Sequence, residues 1–277
     1  MAIKVGVDNY SYHRLLGEVR PRERPNSGNV WDWEDTVRSA RSSGADVIAL
    51  ETCFIAEPAK VLNYARHRDP MVMVSWGHPY GLEFGTSVDA ERDLLTWMSI
   101  AAGLDARCMR IVLGHPALRE SLWARDTREM TIDALRRVSE RAADLQLELA
   151  IENHADLTAE ELADVIDVVG AENLGVCFDI ANAVRVGDAP LEAARTLAPY
   201  VRIMHVKDVN LSRSFGLVGP PSVELGTGSL PVREAIDAVL GSRTDVWLLV
   251  EIAQIEDPTA VEEEWVRRDI DWIRAQL

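Results

Sequence analysis

The sequence predicts an α/β protein, a single-domain (β/α)8 barrel of the TIM type over residues 1–277. Three observations predict it. Short apolar runs alternate with longer amphipathic stretches through the whole chain, as crossover helices on a closed parallel sheet require. Four of the later runs end the same way, each on a charged or metal-binding side chain: Glu152, Asp179, His205 and Glu251. After the first run, where an open doubly wound sheet carries Gly-x-Gly-x-x-Gly, stands Asn9-Tyr10-Ser11-Tyr12. No stretch reads as a linker that would divide the chain.

The elements follow in order. IKVGVD at 3–8 is the first strand, and 31–43 is helical, with Trp33, Val37 and Ala40 at helical spacing and Gly44 at its end. DVIALE at 46–51 is the second strand, followed by a helix over 58–67. MVMVSW at 71–76 is the third, ending in Gly77-His78-Pro79 before a helix over 88–104. The fourth, 108–113, ends in Gly114-His115-Pro116, and a long amphipathic helix covers 127–145. The fifth is LELAIE at 147–152, near-continuously apolar as a strand covered on both faces is. Thr158 and Glu161 form a capping box that opens a helix ending near Gly170. LGVCFD at 174–179 is the sixth strand, followed by a helix over 190–197; VRIMH at 201–205 is the seventh. A connection rich in Gly, Ser and Pro runs from 209 to 230, a length usual for functional loops. A helix over 231–240, a strand over 246–251 and a last helix over 258–277, anchored by Trp265 and Trp272, complete the series.

Composition limits the function classes. Apolar residues make up 47% of the chain, enough for a large core, and no run approaches the roughly 20 residues of a transmembrane helix. The N-terminus, MAIKVGVDNY, enters a strand directly, without a basic stretch and apolar signal core, so the expected compartment is the cytoplasm. Cys53, Cys108 and Cys177 are widely spaced without a C-x-x-C pair, which reads as core thiols. A net charge of −16 repels phosphate backbones, so neither nucleic acid nor membrane is an expected partner. A homo-oligomer is compatible with the sequence.

At the carboxyl ends of barrel strands, side chains point into one mouth. Glu152, Asp179, His205 and Glu251 come from adjacent strands. Three carboxylates and an imidazole, with no thiolate, suit one divalent Mn²⁺, Mg²⁺ or Co²⁺ ion. Lys207 lies two residues after His205 and so faces the same side. It either holds a substrate hydroxyl or carboxylate or pairs with Asp208. His78 and His115, in their two Gly-His-Pro turns, either touch substrate or are merely exposed. Tyr10, Glu51 and Trp76 are further mouth candidates, with Trp76 placed to stack on a sugar's apolar face.

ENH at 152–154, FDIAN at 178–182, HVKD at 205–208 and VE at 250–251 resemble the xylose isomerase-like TIM barrels, the sugar phosphate isomerase/epimerase superfamily. The resemblance covers the chain and includes Leu225-Gly-Thr-Gly228 as a glycine turn. It implies that Glu152, Asp179, His205 and Glu251 ligate one metal ion, and that Glu152 and Glu251 flank the substrate carbon as acid and base. The chemistry is coherent: a metal on a carbonyl and its neighbouring hydroxyl stabilises an enediolate, and a carboxylate on either face moves the proton. His154 would orient Glu152 or touch substrate. One departure stands out. Many relatives carry histidine three residues after the sixth-strand aspartate; here it is Asn182.

The expected function is therefore a metal-dependent isomerase or epimerase acting on a small ketose or related carbohydrate ketone. The alternative is a lyase, decarboxylating or dehydrating an oxo-sugar acid or an inositol-derived ketone. A DNA-repair endonuclease with a zinc cluster is opposed by the acidity, by only six histidines and by Asn182. A non-catalytic sugar-binding barrel would not need both Glu152 and Glu251. No Lys/Arg phosphate cradle is visible, which favours an unphosphorylated substrate; Arg213 in the long connection is the exception.

Overall fold

The computed structural model describes residues 3–25, 28–64, 69–123, 127–213, 219–257 and 259–277. Eight parallel strands close into a barrel: β1 (Lys4–Asp8), β2 (Val47–Glu51), β3 (Met71–Ser75), β4 (Cys108–Val112), β5 (Glu148–Glu152), β6 (Leu174–Asp179), β7 (Val201–Val206) and β10 (Trp247–Val250). Going round the wall the order is β1-β10-β7-β6-β5-β4-β3-β2, so neighbours in sequence are neighbours in space. The expected (β/α)8 barrel is the fold.

The outer ring is α1 (Trp33–Ser42), α2 (Pro58–Tyr64), α3 (Val88–Gly103), α5 (Arg128–Asp144), α6 (Ala159–Val169), α8 (Pro190–Leu197), α9 (Val232–Leu240) and α10 (Glu262–Gln276). The last three residues of the expected second helix, and the Pro258 start of the expected last helix, lie outside the described residues. α6 forms as its sequence demands. Thr158 Oγ1 accepts from the Glu161 amide at 3.2 Å, Glu161 accepts from the Thr158 amide at 2.8 Å, and Gly170 ends the helix at φ 68°.

Two short helices were not expected. α4 (Pro116–Leu122) starts on Pro116 and is capped by His115, whose Nδ1 accepts from the Ala117 amide at 3.1 Å. α7 (Ile180–Arg185) is capped by Asp179, whose Oδ1 accepts from the Ala181 and Asn182 amides at 2.8 and 3.0 Å. The connection over 209–230 is partly folded; its residues 214–218 lie outside the described set. Within it β8 (Asp208–Val209) pairs antiparallel with β9 (Ser222–Val223). The Asp208 carboxylate accepts from the amides of Val209, Gly226, Gly228 and Leu230 at 2.8–3.2 Å. The turn wraps so tightly that a Cβ at Gly228 would collide with that carboxylate.

Two apolar layers carry the barrel. One lies between strands and helices and includes Ile48, Leu50, Val74, Met109, Ile111, Leu149 and Ile151. The other plugs the barrel's inside with Val47, Ala49, Met73, Cys108, Ala150, Cys177, Ile203 and Leu249. Alternate residues of one strand enter opposite layers, the period-2 consequence of the pleat.

Candidate active site

The same alternation builds the site. Two residues beyond each inner-layer residue, the side chain returns to the interior face. That rule puts Glu51, Ser75, Arg110, Glu152, Asp179, His205 and Glu251 in one layer above the plug, and Asp8 at the end of β1 joins them through Ser75. All are buried, none more than 9% exposed. Charged groups in such a place must be paired or hold an ion.

The four residues expected at the metal come together. One ligand atom from each of Glu152, Asp179, His205 and Glu251 lies within 4.8 Å of the other three. His205 Nδ1 and Glu251 Oε2 are 2.6 Å apart yet misaligned for a hydrogen bond, and both are buried without a hydrogen-bond partner. Nitrogen and oxygen lone pairs left over side by side fit a shared cation. The charge balance agrees. Five carboxylates, Asp8, Glu51, Glu152, Asp179 and Glu251, meet two fixed cations, Arg110 and Lys207. A divalent ion relieves most of that excess.

The other contacts position this cluster. Lys207 Nζ sits 2.6 Å from Asp179 and 2.9 Å from Glu251. Burial opposes its charge, but Asp179 and Glu251 hold its pKa above the ordinary lysine value. The alternative pairing with Asp208 is thereby corrected, since that carboxylate is consumed by the glycine turn. Burial also works against the Glu251 carboxylate, but Lys207 and His205 outweigh it and hold its pKa well below the usual range. Asp179 is raised, because burial outweighs Lys207 there. Asn182 Nδ2 donates to both Glu152 Oε1 (3.0 Å) and Asp179 Oδ2 (2.8 Å), fixing the two carboxylates relative to each other. Asn153 ties β5 to β6 by exchanging hydrogen bonds with the Asp179 backbone at 2.6 and 2.9 Å.

The mouth candidates divide. His154 is half-buried; burial and the Arg110 and Arg185 charges push its pKa down to about 3, so its imidazole is neutral, and its Nδ1 has no hydrogen-bond partner. His115 stands beside it, ring centres 6.4 Å apart, and also serves as the α4 cap. His78 stacks on Trp76 at 5.3 Å and leaves its Nδ1 unpartnered. Trp76 itself is wholly buried, and its Nε1 donates to Asp93 at 2.8 Å. This corrects the expectation of a ring open to a sugar. Trp76 follows Val74 in parity and so faces the helices, with His78 against it. Glu51 is in the same buried layer as the metal cluster and is committed to an ion pair with Arg110. Tyr10 is half-buried, with its hydroxyl donating to Glu18 at 2.5 Å.

Sequence reasoning passed over Asp8 and Arg110. Asp8 accepts from Ser75 Oγ at 2.8 Å and lies 3.7 Å from His205 Nε2. Arg110 bridges Glu51 and Glu152 (Nε to Oε2 3.3 Å) and donates to the Trp76 carbonyl at 3.2 Å. Both had a signal. IKVGVD ends in a carboxylate like the four chosen runs, and Arg110 is the lone charge within CMRIV.

Comparison with known proteins places this geometry. The chain is 29% identical over 109 residues to the protein YihM of Escherichia coli (strain K12), covering 39% of this chain and 33% of that protein, about a third of its length. It is 25% identical over 199 residues to the 3-oxo-isoapionate decarboxylase of Pectobacterium atrosepticum, covering 69% of this chain and 70% of that enzyme. The structure of D-psicose 3-epimerase in the presence of D-fructose superposes with a TM-score of 0.73 at 16% identity, covering 99% of both chains. At that identity the likeness speaks for the fold. The sequence model of the family described as xylose isomerase-like TIM barrel matches residues 37–276, nearly the whole chain. The chain therefore belongs to the xylose isomerase-like TIM-barrel family.

Proposed function

We propose that this chain is a divalent-metal-dependent isomerase or epimerase of a small ketose or related carbohydrate ketone. The observation that carries the reading is the convergence of Glu152, Asp179, His205 and Glu251 within 4.8 Å, with orphaned donor atoms on His205 and Glu251. Those four side chains would hold the ion. Bound there, it would supply Lewis-acid stabilisation of negative charge on the substrate's carbonyl and hydroxyl oxygens. Mn²⁺, Mg²⁺ and Co²⁺ all suit the oxygen-rich donor set.

The remaining work falls to the chain. Glu152 ends β5 and Glu251 directly follows β10, with the Asp179 and His205 strands between them in the wall. They therefore flank whatever sits over the centre, and one removes a proton from the carbon beside the carbonyl while the other returns it. Asn182 and Arg110 hold Glu152, and Lys207 holds Glu251, so neither carboxylate must reorganise before the proton moves. The neutral imidazoles of His154 and His115 offer donors or acceptors to substrate hydroxyls, and His78 offers another.

A second reading, a lyase on an oxo-sugar acid, is favoured by the 3-oxo-isoapionate decarboxylase relative. Loss of carbon dioxide leaves the same negative charge on the same oxygens, and a carboxylate is then needed mainly to deliver a proton. The discriminating experiment incubates the Mn²⁺-supplemented protein with ketoses, inosose-type ketones and oxo-sugar acids in deuterated solvent. Solvent deuterium entering a ketose supports the isomerase reading. Carbon dioxide from an oxo-acid, with no exchange into any ketose, replaces it by the lyase reading.

A further inference from the structure

Two arginines stand on either side of the metal cluster, one bonded to Asn182 and one to the Ala253 carbonyl, and nothing in the cluster accounts for them. Arg185, exposed at the end of α7, reaches back over the site, its Nη1 3.4 Å from the Asn182 Oδ1. Arg20, half-buried on the opposite rim, donates through Nη1 to the Ala253 carbonyl at 2.8 Å, two residues past Glu251, and its guanidinium lies 5.8 Å over the Tyr10 ring. Arg185 is thus tied to the Glu152 and Asp179 side through Asn182, and Arg20 to the Glu251 side. Among the described residues neither guanidinium forms an ion pair with a carboxylate, and Glu23 meets Arg20 only at its backbone amide, at 2.8 Å. In a chain of net charge −16, the buried cations Arg110 and Lys207 are by contrast paired with carboxylates.

The two charges also feel each other. Burial and Arg20 both work to lower the Arg185 pKa, partly opposed by Asp179. Arg185 is close enough to His115 and His154 to depress both imidazoles. Like charges held together without a counter-ion are unfavourable, and an anion between them reverses the sign of the interaction. The planar guanidinium fork matches a carboxylate or a phosphate, and His154 Nδ1 is buried without a hydrogen-bond partner.

We infer that Arg20 and Arg185 form an anion-recognising subsite, so that the substrate is a carbohydrate ketone bearing a carboxylate or phosphate group held over the metal centre. This rests on reading the site as a carbohydrate-ketone site and narrows its substrate class. It also reopens the phosphorylated substrate that the absence of a Lys/Arg cradle in the sequence spoke against, because the two arginines are far apart in sequence and only the fold brings them to one site.

The test is calorimetric titration of three probes that share one chain: ribitol, ribonate and ribitol 5-phosphate. Wild-type protein should bind at least one anion about tenfold or more tightly than ribitol. Which anion gains more separates the carboxylate from the phosphate source. Arg185→Gln and Arg20→Gln should each remove most of that preference, weakening the anion far more than ribitol in protein that still unfolds cooperatively, and Arg20→Lys should keep part of it. Equal affinity for all three probes, an anion preference that survives both Gln variants, or no saturable anion binding would overturn the inference. Mn²⁺ uptake and solvent exchange are read in the same samples. Anion binding without Mn²⁺ uptake would sink the proposed function and leave the subsite standing; Mn²⁺ uptake and exchange without anion preference would do the reverse.

Discussion

Replacing Arg110 with methionine isolates the charge layer from the apolar plug beneath it. The side chain is 6% exposed and its partner Glu51 4%, so the pair is shielded from water on both sides. Methionine keeps much of the volume. It leaves the Glu51 carboxylate buried without its cation and removes the guanidinium beside Glu152. Breaking one side of a buried pair costs about 3–5 kcal/mol, because the surviving charge is uncompensated. For a chain of this size that lowers Tm by roughly 2–4 °C per kcal/mol. Adding Glu51→Gln removes the stranded charge, so the double variant should recover much of the loss. The assay is thermal unfolding of the four members of the cycle, with Mn²⁺ affinity measured alongside. A loss below about 1 kcal/mol in Arg110→Met, the usual worth of an exposed pair, would show that water reaches the site floor and that the layer is not the closed charge network described. A double variant no more stable than the single one would refute the stranded-charge argument itself.

Two further outcomes are expected, one at the site and one in the outer helix α10. Glu152→Gln and Glu251→Gln keep an oxygen ligand but remove a base, so each should retain some metal and lose activity by about a hundredfold or more, while at least one still exchanges a substrate proton with solvent; full activity in either would remove that residue from proton transfer. Burial pushes the pKa of Asp269 in α10 up to about 7, against the lowering effect of the Leu225 amide from which it accepts at 3.1 Å. The folded state then binds a proton that the unfolded state, near 3.8, has released, so this contribution to stability is present at low pH and is lost as pH rises from about 4 to 7. Asp269→Asn keeps the acceptor without the charge and should melt higher than wild type at pH 8 but not at pH 4.5; equal destabilisation at both values would show that the group is solvated.

Much of the site was legible because its logic is local. A strand buried on both faces is apolar, so a carboxylate or imidazole at its end stands out, and Glu152, Asp179, His205 and Glu251 were found that way. Lys207 followed from parity with His205. Parity would also have found Arg110, two residues above Cys108, and would have turned Trp76 outward with Val74; judging strands only by their last residue missed both. Asp8 was in plain view but lay far in sequence from the four residues of the metal cluster. α4 and α7 are only seven and six residues long, too short for a helical period to show, and their caps are His115 and Asp179, side chains already assigned to other work. The Asp208 turn and the Arg20–Arg185 pair were hidden for a different reason. Each joins segments whose meeting depends on barrel closure, which no run of residues states.

The central claim is one divalent ion held by four named side chains. Elemental analysis of protein dialysed against Mn²⁺, run beside Asp179→Asn, tests it most directly. The account predicts one ion per wild-type chain and none retained by the variant, with the variant's fold intact because the core lies below the mouth. Two or more zinc ions per chain, or undiminished Mn²⁺ binding by Asp179→Asn, would contradict it.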